Sequence, residues 1–196
     1  MEAEKAYVSW VAELFPPQGQ WTEADYFALP ETNRIIELAN GELSMAPAPG
    51  DRHQSAVVEL VVALKLYVDA NRLGVVRTAP LDVRLFPGTI RQPDVLFLRE
   101  EHRERITERY IDGPPDWVAE VISEGTRRVD EEVKTTEYAS AGVPEYWLVD
   151  PEDKTIRVYV LEGNAYRLAA IYRPGQIARS ETLSGFEIAV DRVFGG

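Results

Sequence analysis

The chain has 196 residues, 45% of them hydrophobic and 28% charged, with 33 acidic against 21 basic side chains and no cysteine. That length predicts one globular domain, and the missing cysteine excludes disulfides, thiolate zinc sites, iron–sulfur clusters and thiol nucleophiles, so a metal would have to use oxygen ligands, His53 or His102. The net charge of −12 argues against broad, tight nucleic-acid binding but leaves room for a local basic patch or an acidic cation site. No apolar run approaches the ~20 residues of a membrane span and no signal segment opens the chain, so a cytoplasmic, non-membrane protein is expected.

In chain order, residues 1–20 read as an N-terminal extension and 21–196 as a single domain. Thr22 caps a short helix that Pro30 ends. Residues 34–38 and 41–45 alternate around Asn40-Gly41, the signature of a β-hairpin. Residues 51–71 form the best helix: Asp51 caps it, Gly74 stops it, and Ala56, Val57, Leu60, Val61, Leu64 and Tyr67 recur at helical steps. Strands are expected at 75–78 and 80–86, with a turn at Pro87-Gly88. The runs 94–98 (DVLFL) and 117–122 (WVAEVI) read as buried strands, and 100–109 as a solvated helix or loop. A helix over 128–141 ends at Gly142. Residues 145–150 form a strand, 155–161 and 165–172 a hairpin, and 182–194 a last strand or helix. The class is α/β or α+β with a mixed sheet.

Two carboxylates stand in apolar strands, where acids are rare unless paired or bound to metal. Asp94 opens one strand and Glu120 lies near the end of the other. If the strands are antiparallel neighbours, both acids meet at one end of the sheet, and their repulsion calls for a cation. Magnesium suits such a pair, because it takes one or two carboxylates and keeps several waters. Taken singly, Asp94 reads equally well as a strand-start cap and Glu120 as an arginine partner. Asp130, Lys134 and Tyr138, spaced four and four, share one helix face just after the Glu120 strand. Asp130 with Lys134 is also an ordinary surface ion pair. Yet only four of the 21 basic residues are lysine, and Lys134 is placed to swing toward the acids.

The ordered segments Arg91-Gln92-Pro93-Asp94-Val95, Ala119-Glu120-Val121-Ile122-Ser123, Asp130 to Lys134, Tyr138 and Gly142 to Asp150 resemble the Uma2 family of restriction-endonuclease-like proteins. Ile36-Glu37-Leu38, Asn40 to Leu43 and Arg52-His53-Gln54 resemble it too, so the likeness runs from about residue 21 to 194. The resemblance implies the PD-(D/E)xK nuclease fold: a central mixed sheet flanked by helices, here with an added N-terminal and C-terminal hairpin. It makes Asp94 and Glu120 the two acids. Two residues after Glu120 stands Ile122 rather than lysine, and the resemblance implies that Lys134, from the following helix, takes that place.

The expected function is therefore a Mg2+- or Mn2+-dependent endonuclease acting on DNA. Asp94, Glu120 and the Val121 carbonyl would hold the metal, and Lys134 would brace the developing phosphate charge. Glu37, His53, Gln92, Asp130 and Tyr138 are possible supporting residues. Glu37, as a strand residue, reads more readily as solvent-facing, and His53 either orients a water or contacts the preceding loop. His102 reads as surface, Trp117, Tyr146 and Trp147 as core, and Arg127 and Arg128 as phosphate contacts or free surface charges. A homodimer is expected through residues 145–172, with Tyr146, Trp147, Tyr159, Tyr166 and Tyr172 available and two sites able to address two strands. The alternatives are a weak or inactive nuclease-fold binding module, and a metal-dependent phosphoesterase acting on a small substrate.

Overall fold

A computed structural model describes residues 15–30 and 32–195. Of the expected extension over 1–20, residues 1–14 lie outside the described residues. The remainder packs on the first hairpin: Gly19 and Trp21 each donate their N–H to the Gly41 carbonyl, and Gln18 both donates to and accepts from the Leu43 backbone. Gly41 has φ +74, and a Cβ there would stand 2.6 Å from the Gly19 carbonyl oxygen, so both the turn and this contact require glycine.

Helix α1 (Glu23–Phe27) starts in a capping box built by Thr22 and Asp25. Strands β1 (Ile36–Ala39) and β2 (Glu42–Met45) form the expected hairpin. Helix α2 (Asp51–Asn71) follows, with Gly50 in the cap position and Asp51 as its first residue, where a negative charge suits the helix N-terminus. Arg72, in the left-handed conformation, ends the helix, and Gly74 belongs instead to β3 (Gly74–Thr78). The next strand, β4 (Val83–Phe86), starts later than its sequence pattern suggests, beyond Pro80, which supplies no N–H to a ladder. Then come β5 (Thr89–Arg91), β6 (Val95–Arg99), a 3-10 turn over Glu100–Arg105, β7 (Ile111–Asp112) and β8 (Trp117–Val121). The helix expected over 128–141 has two parts, a π-helical turn at Val129–Lys134 and α3 (Thr135–Ala141). Strands β9 (Glu145–Asp150), β10 (Thr155–Glu162), β11 (Ala165–Tyr172), β12 (Ile177–Arg179) and β13 (Glu187–Ala189) precede helix α4 (Val190–Phe194).

The strands build a six-stranded mixed sheet in the order β11-β10-β9-β8-β6-β3, a five-stranded sheet β2-β1-β5-β4-β7, and the β12-β13 ribbon. Within the larger sheet β8 runs antiparallel to β6 and parallel to β9, so the π turn and α3 form the crossover between β8 and β9. Apolar residues on both faces explain why β6, β8 and β9 read as continuous hydrophobic runs. On one face Phe97, Trp117, Ala119, Trp147 and Val149 pack with Ala56, Leu60, Leu64 and Val68 of α2. On the other, Leu96, Leu98, Val118, Tyr146 and Leu148 meet Tyr138 of α3 and Val83, Leu85 and Ile111 of the smaller sheet. Tyr146 and Trp147 are wholly buried in this core, which removes them from any interface between copies. No helix among the described residues is long and apolar enough to cross a membrane.

Candidate active site

The antiparallel register pairs Val95 with Ala119, and one step further along the ladder brings Asp94 opposite Glu120. The Val121 N–H donates to Asp94 Oδ2 at 2.8 Å, and the Asp94 N–H approaches Glu120 Oε2 at 3.4 Å. The two acids thus stand side by side where β8 ends and the crossover begins. His53, in the first turn of α2, brings Nε2 to 3.1 Å from the same Asp94 oxygen, while its buried Nδ1 has no partner.

Lys134 arrives from the opposite side. Its Nζ lies 2.9 Å from Glu120 Oε1, 3.2 Å from Glu37 Oε1 and 3.3 Å from Asp130 Oδ1. Tyr138, one turn on, donates its hydroxyl to Glu120 Oε1 at 2.5 Å. The stripe read from the sequence as Asp130, Lys134 and Tyr138 therefore faces the acids, and the wider π turn carries its first two members. Lys134 is buried, so this is not a surface ion pair.

Glu37 departs from its expected solvent-facing position. It is buried, bonded to Lys134, to Arg91 Nη1 at 3.1 Å and to the Gln92 N–H at 3.0 Å. Arg91 gave no signal in the sequence beyond its place in the motif. Its guanidinium also clasps Glu137 at 2.6 and 2.7 Å, tying β5 to α3 behind Lys134. Gln92 is buried between the acid pocket and a second polar contact, donating to Asp82 Oδ1 at 2.7 Å, and its Oε1 is left without a partner. Of the other polar residues considered, His102 is partly buried against Asp116 at 2.9 Å. Arg127 is bound to Asp150 at 2.6 Å and to Glu131 and Glu152, and Arg128 is exposed beside Glu132. Neither His102 nor Arg127 is a free surface group.

The electrostatics follow from burial. Desolvation raises the Glu120 acid, Lys134 opposes that, and the Asp94, Asp130 and Glu37 carboxylates add to the rise, taking it to about 8. Burial also raises Asp130, against the pull of Lys134. Burial disfavours the Lys134 ammonium, yet Glu120, Glu37 and Asp130 overcome this and hold it well above the usual lysine range. For Glu37 burial is outweighed by Lys134, Arg91 and the Gln92 N–H, and its acid is lowered. The cluster therefore favours the charged Lys134 ammonium and makes Glu120 a weaker acid than a free carboxyl.

The donor set suits a hard divalent cation. Asp94 Oδ1 has no hydrogen-bond partner among the described residues, and Glu120 Oε2 has only the long Asp94 N–H contact. One oxygen of each acid is thus open, and carboxylate oxygens are the ligands that Mg2+ and Mn2+ take. No group of three His, Asp or Glu side chains among the described residues is arranged to bind metal, so the remaining ligands would be backbone carbonyl and water.

The mixed α+β architecture is that of a nuclease-like fold. A crystal structure described as "a putative nuclease belonging to DUF820", from Anabaena variabilis, superposes with a TM-score of 0.75 at 20% identity, covering 88% of this chain and 97% of that one. A profile of the Uma2 family, described as "Putative restriction endonuclease", matches residues 23–191, and the chain belongs to that family. No curated protein shows a significant match to the sequence.

Proposed function

We propose that the chain is a divalent-metal-dependent endonuclease that hydrolyses phosphodiester bonds in DNA. The observation that carries this reading is the pairing of Asp94 and Glu120 across β6 and β8 with the Lys134 ammonium 2.9 Å from Glu120. Asp94, Glu120 and the Val121 carbonyl would hold Mg2+ or Mn2+. When bound, the cation supplies Lewis-acid activation of the scissile phosphate and the attacking water. Lys134 places a positive charge where the phosphate gains negative charge. Glu37 and Asp130 hold its amine by ion pairs at 3.2 and 3.3 Å, and Arg91 in turn fixes Glu37. His53 and the Val121 N–H orient Asp94 through one oxygen and leave the other without a hydrogen-bond partner among the described residues. Tyr138 holds the Glu120 carboxyl in one rotamer. Calorimetric titration of Mn2+ into the wild type and Asp94→Asn tests the assignment. Binding should be weaker in the variant by about 10–100-fold or more, and equal binding would contradict it.

A second reading, a nuclease-fold binding module without hydrolytic activity, draws on the charge of −12, which opposes phosphate. It expects metal to bind without cleavage of any nucleic acid. Self-association also belongs to the proposal. Its surface would be β11, an edge strand that exposes Leu168 and Ile171.

A further inference from the structure

Beside the acid pocket lies a second cleft of about 880 Å³. One wall is the outer face of α2, with Val58 and Val62. The other is the segment leaving β2, Met45 to Pro49, and Pro80 closes the far side. Met45, Val58 and Val62 are 56%, 55% and 41% exposed, so three of the large exposed hydrophobic residues of the described chain line this one cleft. Single exposed apolar residues need no explanation, but a contiguous group in a concavity marks a binding site.

The cleft does not end blindly. Asp94 lines both it and the acid pocket, and the Met45–Pro49 segment is a wall common to the two. A phosphodiester held at Asp94 and Glu120 would carry its adjoining nucleoside into this neighbouring space. The lining suits an uncharged, flat group with apolar faces: valines, prolines and a methionine surround it, while Asn33, Gln54 and Thr78 offer neutral hydrogen-bonding groups for a polar edge. Arg34 is the one basic residue of the lining, so the cleft is poorly built for a second phosphate.

Resting on the endonuclease reading, we propose that this cleft receives the nucleobase next to the scissile phosphate, and that the strand cut is single-stranded or locally unpaired. A base in a duplex is stacked and paired and cannot enter a side cleft until it is extruded. Bases freed from the stack are recognised by contact with their faces and hydrogen bonds to their edges.

The test uses a single-stranded DNA octamer with a central 2-aminopurine and its abasic twin, titrated into the full chain with Ca2+ in place of Mg2+. The base-containing octamer should bind at least about tenfold tighter, the scale expected for burying one largely apolar group. The 2-aminopurine fluorescence should rise as the base leaves its neighbours for an aliphatic slot. Val58→Trp fills the cleft from an exposed helix position, and it should remove both effects. Val62→Trp repeats the test at a second site, with thermal melting to show that each variant folds. Equal binding of the twins, or a preference that survives both substitutions, would overturn the proposal. So would a dimer in sedimentation that dissociates in Val58→Trp, because a second copy would then occupy the cleft. Mg2+-dependent cleavage, measured in parallel on wild type and Asp94→Asn, reports separately on the acid site. If the base preference fails while Asp94-dependent cleavage persists, the cleft assignment falls alone. If the preference holds without cleavage, the hydrolytic reading falls and the base site stands.

Discussion

Lys134 illustrates how much a single buried charge organises. Its buried ammonium is shared by Glu120, Glu37 and Asp130. Lys134→Met would leave these carboxylates without their common partner, and breaking a buried ion pair costs about 3–5 kcal/mol. Urea unfolding of the metal-free protein should show a loss of this size together with loss of cleavage. Glu120 gives the opposite sign. Its acid is raised from 4.5 to about 8 by burial and by Asp94, Asp130 and Glu37, with Lys134 opposing and Tyr138 bonded to the same oxygen as Lys134. A folded-state value above the unfolded one means that the folded form binds the proton more tightly. The stabilisation is complete below about 4.5 and is lost as pH rises through 8. Melting of the metal-free wild type should therefore fall between pH 6 and 9, and Glu120→Gln should flatten that fall. Mg2+ should recover more stability at pH 8 than at pH 6, because the cation competes with the proton for Glu120. A pH-independent melting difference between wild type and Glu120→Gln would contradict this.

At the scale of elements, strand β9 anchors the C-terminal segment through another buried acid. Glu145 accepts the indole N–H of Trp147 at 2.5 Å and of Trp117 at 3.3 Å, and the N–H groups of Thr182 at 2.7 Å and Glu181 at 2.9 Å. Glu145→Ala would leave buried donors unpaired and should destabilise by about 3 kcal/mol or more in urea unfolding, without altering metal affinity. That acid drew no notice in the sequence, where it stands at the start of an ordinary strand. The legible elements were those with strong local signals: the Asn40-Gly41 hairpin, the periodicity of α2, and the apolar runs of β6, β8 and β9. Strand β5 was missed because three residues carry no periodicity and its pairing with β1 and β4 is set by tertiary contacts. The site was legible where polar residues interrupted apolar runs, as at Asp94 and Glu120, or repeated at helical spacing, as at Lys134. Glu37 misled because alternation shows that a strand has two faces but not which face a later sheet will cover. Here the crossover helix covers it, bringing Lys134 against Glu37 and Glu137 against Arg91. The second cleft was invisible for a related reason: Met45, Val58 and Pro80 come from three separate elements.

At the scale of the whole molecule, the net charge of −12 opposes the anionic substrate of the proposed reaction. Long-range steering is unfavourable, so binding must come from close contacts within the cleft and from the cation. Cleavage should therefore respond steeply to competing divalent ions. Self-association through β11 is tested by sedimentation velocity at micromolar concentration: wild type should sediment as a dimer and Leu168→Glu as a monomer. A monomeric wild type would remove that part of the account. The proposed hydrolytic site needs Asp94 and Glu120 to act together on a divalent cation. Its most direct test is a cleavage assay on single-stranded and duplex DNA with wild type and Glu120→Gln, purified in parallel, each with Mg2+ and with EDTA. Strand scission is expected from wild type with Mg2+ alone, and none from Glu120→Gln under either condition. Scission that persists in Glu120→Gln, or a folded wild type that cuts neither substrate with Mg2+, would contradict it.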